Sequence, residues 1–175
     1  MKKLTYKLIL FSIILVSMTT TSCIKESGCT DPNGLNFSIT AVIDDGSCIY
    51  GGCTDPDSKN YDPYADVDDG SCTYEGSVVF WYGESVAAEL VYYGVTSLTY
   101  YLDGVIVGSS APDIYWTGPP ECGQNGSVTV EKDLGNIKSR PYSFSVRDQT
   151  NIEVWGGILN IDANICLKLE LTSKK

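Results

Sequence analysis

Histidine is absent from the 175 residues, and this removes the commonest general base, nucleophile activator and zinc ligand together. Lysine and arginine are scarce, 12 against 22 acidic residues, so the chain lacks the positive charge that binding to a phosphate backbone requires. The seven cysteines include no C-x-x-C pair, which argues against a zinc site. Composition therefore disfavours most catalytic mechanisms, because these commonly use histidine, and it predicts no nucleic-acid partner.

The acidic charge is unevenly distributed along the chain. Residues 28–75 contain ten acidic residues and one basic residue, a net charge of −9, whereas residues 76–175 contain eleven acidic and seven basic residues, a net charge of −4. Such asymmetry marks two physically different regions. The first is predicted to be an acidic, loop-rich segment, and the second a packed domain.

The first 22 residues have the layout of a signal peptide. Three lysines precede an apolar run at residues 8–16, and small or hydroxylic residues follow up to Ser22. A membrane-spanning helix needs about 20 apolar residues, so this shorter run favours export over a permanent span.

A cysteine, Cys23, directly follows the small residue Ser22 at the end of this segment. The arrangement resembles the lipobox of bacterial lipoproteins, although Thr20 stands where that family usually carries leucine or another aliphatic residue. The resemblance implies that Cys23 receives a diacylglycerol thioether, is acylated by a fatty acid such as palmitate, and begins a lipid-anchored tether at residues 23–27. It also implies a cell-envelope location, at the outer membrane or cell surface, with the membrane as a partner. The alternative is plain secretion, with Cys23 free or paired elsewhere.

Residues 28–75 contain two copies of a 24-residue repeat. Eleven of twenty positions are identical between the segments that start at Cys29 and Cys53. Both copies resemble the short CTDP...DDGSC repeats of secreted Bacteroidota proteins. The second copy follows that pattern through Asn60, Tyr61, Pro63 and Ala65, whereas the first has Phe37 in place of the tyrosine and Ile39 in place of the proline that corresponds to Pro63.

Neither copy has an apolar pattern long enough to bury a core, so covalent closure must replace burial. Without Cys23, six cysteines remain, an even number that suits an oxidising compartment. Four cysteines permit three pairings, but a duplicated unit favours the same bond in each copy: Cys29 with Cys48, and Cys53 with Cys72. The remaining pair, Cys122 and Cys166, is then predicted to form a third disulfide.

Carboxylates recur at matching positions of the two copies, and oxygen ligands of this kind suit Ca²⁺. The candidate calcium ligands are Asp31, Asp44, Asp45, Asp55, Asp68 and Asp69. The other interpretation, which the sequence favours, is that Asp-Pro and Asp-Gly form turns without any ion. Calcium is the only cofactor that the sequence suggests.

Residues 76–175 contain short β-branched and aromatic runs separated by turn residues, which predicts an all-β domain of seven or eight strands. Helix signals are nearly absent. Residues 98–102 and 105–108 flank Asp103-Gly104, a pattern typical of a hairpin with a type I′ turn. Gly156-Gly157 predicts a bulge or bend within a later strand, and Ile165 is expected on the last apolar face.

This region resembles the small β-sandwich modules of Bacteroidota lipoproteins, which are transthyretin-like or Ig-like in style. The segments SLTYYLDGVIVG, PPECG and CLKLEL carry this resemblance. It implies the architecture of the domain and no catalytic residue. The predicted disulfide between Cys122 and Cys166 would pin residues 111–126 to the sheet. That loop could present Tyr115 and Trp116 to a partner, or both aromatic side chains could turn inward and cap the core.

The sequence favours a non-catalytic structural or adhesion-type binding module at the cell envelope, with a protein or glycan as partner. An alternative is a calcium-binding repeat spacer that carries a carbohydrate-binding sandwich, for which exposed Trp81, Trp116 and Trp155 would be needed. A more remote alternative is a hydrolase that uses two carboxylates. Its candidate residues, which share no motif, are Glu84, Glu89, Asp113, Glu121 and Glu153.

Overall fold

The structure, a computed structural model, describes residues 25–173. These residues divide into two compact units with a boundary between Ile49 and Tyr50. The first unit holds the first repeat copy, in which the two-residue strands β1 (Ser27–Gly28) and β2 (Ile43–Asp44) pair in parallel. A disulfide joins Cys29, which is almost completely buried, to Cys48. This unit is therefore a loop closed by one covalent bond around a minimal sheet.

The second unit begins with the second repeat copy, which has the same local structure. Strands β3 (Gly51–Gly52) and β4 (Val67–Asp68) pair in parallel, and a disulfide joins Cys53 to Cys72. Both of these cysteines belong to the same buried cluster as the core of the following domain. The second copy is therefore packed against that domain rather than separated from it by a linker.

The rest of the second unit is a β-sandwich, which confirms the predicted all-β class. Its strands are β5 (Tyr74–Trp81), β6 (Leu98–Leu102), β7 (Val105–Ser110), β8 (Val128–Gly135), β9 (Ser139–Asp148), β10 (Glu153–Asp162) and β11 (Cys166–Glu170). One sheet has three strands in the order β11-β5-β8, and the other has four in the order β10-β9-β6-β7. All neighbours are antiparallel except β11 and β5, which run parallel.

Aromatic side chains from both sheets meet at the centre of the sandwich. The ring of Phe80 on β5 lies 5.4 Å from that of Tyr100 on β6 and 5.8 Å from that of Phe144 on β9. Leu98 and Leu102 flank Tyr100 on the same face of β6 and are completely buried. Burial of these inward-facing residues is the main apolar contribution to the stability of the domain.

The predicted hairpin is present, because β6 and β7 are joined by Asp103 and Gly104, whose φ angles of 48° and 75° are those of a type I′ turn. The predicted bend at Gly156-Gly157 is wrong. Strand β10 runs through both glycines, and its irregularity lies between Glu153 and Trp155. Ile165 is also misplaced, since it precedes β11 in a turn and is 52% exposed.

The expectation that helix signals are nearly absent is wrong for one segment. Helix α1 (Glu84–Tyr92) follows β5 and buries Val86, Ala87 and Leu90. It ends at Tyr92, and Gly94, with a φ of 76°, allows the carbonyl groups of Leu90 and Val91 to accept the N–H groups of Val95 and Gly94. The spacing of the three buried residues and the following glycine were the available helix signals.

Candidate functional site

All three predicted disulfides are present, with Cα–Cα distances of 4.6 Å for Cys29–Cys48, 4.8 Å for Cys53–Cys72 and 5.8 Å for Cys122–Cys166. The predicted lipidation residue, Cys23, lies outside the described residues, as does the signal segment at residues 1–22. Within residues 25–173, no helix is both long and apolar enough to cross a membrane.

The carboxylates predicted as calcium ligands all take part in local turns. Each accepts a hydrogen bond from the backbone N–H of the residue two positions later, at 2.9 to 3.1 Å. They are Asp31, Asp44, Asp45, Asp55, Asp68 and Asp69. This bond defines an Asx turn, which needs no ion. In the described part of the chain, no three acidic or cysteine residues form a group that could hold a metal ion. The geometry therefore favours the turn interpretation.

One of these carboxylates, Asp55, also fastens the second repeat copy to the sandwich. Its Oδ2 atom accepts a hydrogen bond of 2.6 Å from the Tyr74 hydroxyl and lies 2.6 Å from Nζ of Lys138, in the turn after β8. Next to it, Nδ2 of Asn164 donates to the carbonyl oxygen of Asp57 at 2.7 Å. Charge and hydrogen bonding thus add to the apolar packing of the second copy.

The pKa of Asp55 is lowered from 3.8 to about 2. The largest cause is the interaction with Lys138, followed by the hydrogen bonds from the Tyr74 hydroxyl and from the backbone N–H of Asp57. A lowered native-state pKa stabilises the fold above the unfolded-state value, and this contribution is lost as the pH falls toward the native-state value. Since the Asp55 side chain is 19% exposed, the interaction is partly shielded from solvent.

We therefore expect D55N to melt at a lower temperature than the wild type at neutral pH. The difference in melting temperature between D55N and the wild type should be largest above pH 4. It should decrease between about pH 4 and pH 2, the interval in which Asp55 becomes protonated. Thermal melts at a series of pH values measure this. D62N is the matched control, because Asp62 only accepts the N–H of Tyr64 and asparagine keeps that bond. A difference independent of pH would contradict the assignment.

Residues 111–126 cross the outer face of the three-stranded sheet. On that face Val79 lies between Lys168 of β11 and Thr129 of β8. Lys168 forms an ion pair with Glu121 of the loop, and Oγ1 of Thr129 accepts the N–H of Gly123 at 2.9 Å. Val79 is completely buried although it points away from the core between the sheets. The disulfide between Cys122 and Cys166 therefore pins a loop that covers part of the sheet.

The two aromatic residues predicted to meet a partner point in different directions. Trp116 is half-buried and lines a small cavity beside Tyr100, and its backbone N–H donates to the Tyr82 carbonyl oxygen at 3.0 Å. Tyr115 is 41% exposed and lines a shallow groove beside Tyr92 of helix α1, which is 83% exposed. Trp116 therefore caps the sandwich, and only Tyr115 is presented to solvent.

The three tryptophans do not form the exposed platform that a sugar-binding site would need. Trp155 is buried, and its Nε1 donates to the carbonyl oxygen of Thr172 at 2.7 Å. Trp81 and Trp116 are each half-buried. Their burial favours a structural role for these side chains over stacking against a glycan.

A cavity of about 290 Å³ lies between helix α1, the start of strand β10 and Ser173. Most of its lining is apolar: Val86, Leu90, Tyr93, Val95, Val154 and Trp155. Two carboxylates, Glu89 of the helix and Glu153 of the strand, also line it. Sequence reasoning missed this cavity because it depends on the unexpected helix.

Of the five carboxylates considered for a hydrolase, the structure brings Glu89 and Glu153 to this cavity. Glu84 and Asp113 line the shallow groove on the other side of the helix, and Glu121 pairs with Lys168. A hydrolase also needs polar groups that orient its substrate. Among residues 25–173, the further polar groups that line the cavity are Ser173 and the hydroxyl of Tyr93.

No family model, no curated protein and no solved structure matches this chain.

Proposed function

We propose that the chain is a lipoprotein of the bacterial cell envelope, anchored through Cys23, which acts as a non-catalytic structural or binding module. The observation that carries this proposal is the pairing of every described cysteine. Six cysteines form three disulfides, and Cys23 is left over. Such pairing suits an exported protein, and Cys23 stands in the sequence where a lipid would be attached.

The packing of the second repeat copy supports a structural role for the repeats. A disulfide closes the loop, and Lys138 and Asn164 hold it against the sandwich through Asp55 and Asp57. A module built in this way holds its shape without a large core. We infer that the second copy gives the sandwich a rigid base.

The non-catalytic assignment rests on the chemistry of the described surface. The chain lacks histidine, and the carboxylates of the repeats are engaged in their own turns. The cavity that Glu89 and Glu153 both line has mostly apolar side chains among the described residues. These features support recognition of another molecule rather than its chemical conversion.

Replacing Cys23 tests the anchor directly. In a host with a lipoprotein pathway, we expect the wild type to sediment with membranes and to incorporate an alkyne-labelled fatty acid. C23A should lose the label and appear in the soluble fraction. C122A/C166A is the control, because it removes two other cysteines and should keep the label. Labelling of C23A equal to that of the wild type would contradict the proposal.

A further inference from the structure

The first repeat copy exposes apolar side chains at positions where the second copy carries several polar ones. Ile39 is 88% exposed, and Leu35 and Val42 are each 67% exposed. The exposed large hydrophobic residues of the first copy are Leu35, Phe37, Ile39, Val42, Ile43 and Ile49. With the 24-residue period, their counterparts in the second copy are Lys59, Tyr61, Pro63, Asp66, Val67 and Thr73. Such a set of exposed apolar residues on so small a unit indicates a contact surface.

Position 42 shows the difference between the copies most clearly. The N–H of Val42 donates to the carbonyl oxygen of Glu26, and in the second copy the N–H of Asp66 donates to that of Tyr50, each at 2.9 Å. The Asp66 carboxylate also accepts the backbone N–H of Tyr50 at 2.9 Å. A valine side chain cannot accept a hydrogen bond, and at 67% exposure it gains little burial in return. The side chain of Val42 is therefore available for contact with another surface.

The backbone around Val42 lies next to the point at which the proposed function anchors the chain. Glu26, which bonds to Val42, follows Cys23 by three residues, so the Cα atoms of Cys23 and Glu26 are at most about 11 Å apart whatever path the chain takes. Ser27 pairs with Ile43 in the sheet of β1 and β2. A lipid on Cys23 would therefore bring this side of the first copy to the surface of the membrane.

Charge does not supply an attraction to lipid headgroups. Residues 25–49 contain one basic residue, Lys25, and four acidic residues, Glu26, Asp31, Asp44 and Asp45, a net charge of −3. Membrane binding through charge needs clustered lysine and arginine, which this segment lacks. Contact with the membrane would therefore depend on apolar side chains that enter the interfacial region, and anionic lipids would weaken it.

We propose that Ile39, Val42 and Ile43 enter the interfacial region of the membrane that carries the lipid of Cys23, so that the first copy lies on the lipid surface. Ile39 lies in a tight turn three residues before Val42. The anchor holds the lipid surface close to these residues, so contacts that are weak one by one are sufficient. This inference rests on the proposed anchor at Cys23 and adds a second contact with the same membrane.

A single acyl chain attached chemically makes this contact measurable. In the mature protein, residues 23–175, three disulfides use the other six cysteines, which leaves the thiol of Cys23 for alkylation with a tetradecyl iodoacetamide. One such chain alone binds membranes with an association constant of only about 10⁴ M⁻¹, so further apolar contacts raise the affinity visibly. We expect the alkylated protein to bind phosphatidylcholine vesicles at least about fivefold more tightly than this, as measured by sedimentation with the vesicles.

Substitutions by asparagine locate the contact without adding charge. V42N and I39N should each weaken vesicle binding about fivefold, because an amide replaces an apolar side chain in the interface. An asparagine can also accept the hydrogen bond that Asp66 accepts in the second copy, so V42N should fold. L35N is the matched control, because Leu35 is as exposed as Val42 but bonds through its N–H to Ile49, where the chain leaves this unit. L35N should change vesicle binding by less than about twofold.

Equal vesicle binding by V42N and the wild type would overturn the proposal, and so would an equal loss in L35N. Contact with a second copy of the chain is the competing explanation. If analytical ultracentrifugation of the non-alkylated protein shows a dimer that V42N dissociates, the surface belongs to that contact and the proposal is wrong. Melting temperatures establish that each variant is folded. Because the acyl chain is attached chemically, these results do not depend on lipidation in the cell, which the fatty-acid label on C23A tests separately.

Discussion

Replacing Tyr100 by alanine is expected to lower the free energy of unfolding by about 3 to 5 kcal/mol, the usual cost of removing a large aromatic side chain from a core. Tyr100 is 2% exposed, packs against Phe80 from the opposite sheet, and hydrogen-bonds Ser110 through its hydroxyl at 3.1 Å. The truncation therefore removes a contact between the sheets and leaves a void. Equilibrium unfolding in urea, followed by tryptophan fluorescence, measures the loss.

Tyr92 is the matched control for this substitution. It is also a tyrosine, but it is 83% exposed on helix α1, so Y92A should change the free energy of unfolding by less than about 0.5 kcal/mol. Similar losses for Y100A and Y92A would show that the two sheets do not pack as described.

Removal of the disulfide in the second repeat copy, with C53A/C72A, is the second large effect that we expect. The bond closes a loop with a sequence separation of 19 residues, for which the reduced entropy of the unfolded chain is worth about 3 kcal/mol. Both sulfur atoms also belong to the buried cluster. We expect residues 53–72 to lose protection from hydrogen exchange, measured by mass spectrometry, and the interaction of Lys138 with Asp55 to be lost.

The corresponding variant of the first copy, C29A/C48A, is the control with the same loop length. Since the first copy belongs to a separate compact unit, its unfolding should increase exchange at residues 29–48 and leave residues 53–72 protected. Unchanged exchange at residues 53–72 in C53A/C72A would contradict the stabilising role of that bond.

The features that could be predicted from sequence are those with local or covalent signals. The duplication made the same disulfide in each copy the simplest pairing, and it left Cys122 and Cys166 for each other. The Asp103-Gly104 pair specifies a type I′ turn because both positions need positive φ, and both have it. The carboxylates of the Asp-Asp-Gly segments form the turns that their chemistry favours.

The errors arose where tertiary packing decides the local structure. Helix α1 has only nine residues and lies among apolar strand segments, and such a short pattern of buried residues is a weak helix signal in the sequence. Gly156 and Gly157 were expected to break β10, but pairing with β9 carries the strand through them. The different orientations of Tyr115 and Trp116 depend on the neighbouring Tyr82 and helix, which no local pattern reveals.

The attachment of the second repeat copy to the sandwich could also not be predicted from the sequence. It depends on Lys138 and Asn164, which lie 81 and 107 residues from Asp57 in the chain. Such contacts follow from strand order, and a single sequence carries little information on strand order. The cavity with Glu89 and Glu153 has the same origin, since it joins the helix to a strand more than fifty residues away.

The central claim is that Cys23 carries an acyl anchor while the other six cysteines hold the protein together as three cross-links outside the cytoplasm. Its most direct test is the intact mass of the protein isolated from its native membrane without reductant, with thiols alkylated before and after reduction. The account predicts a chain that lacks residues 1–22, carries lipid on Cys23, and gains six alkyl groups only after reduction. A chain that retains residues 1–22, carries no lipid and is alkylated at the repeat cysteines before reduction would contradict it.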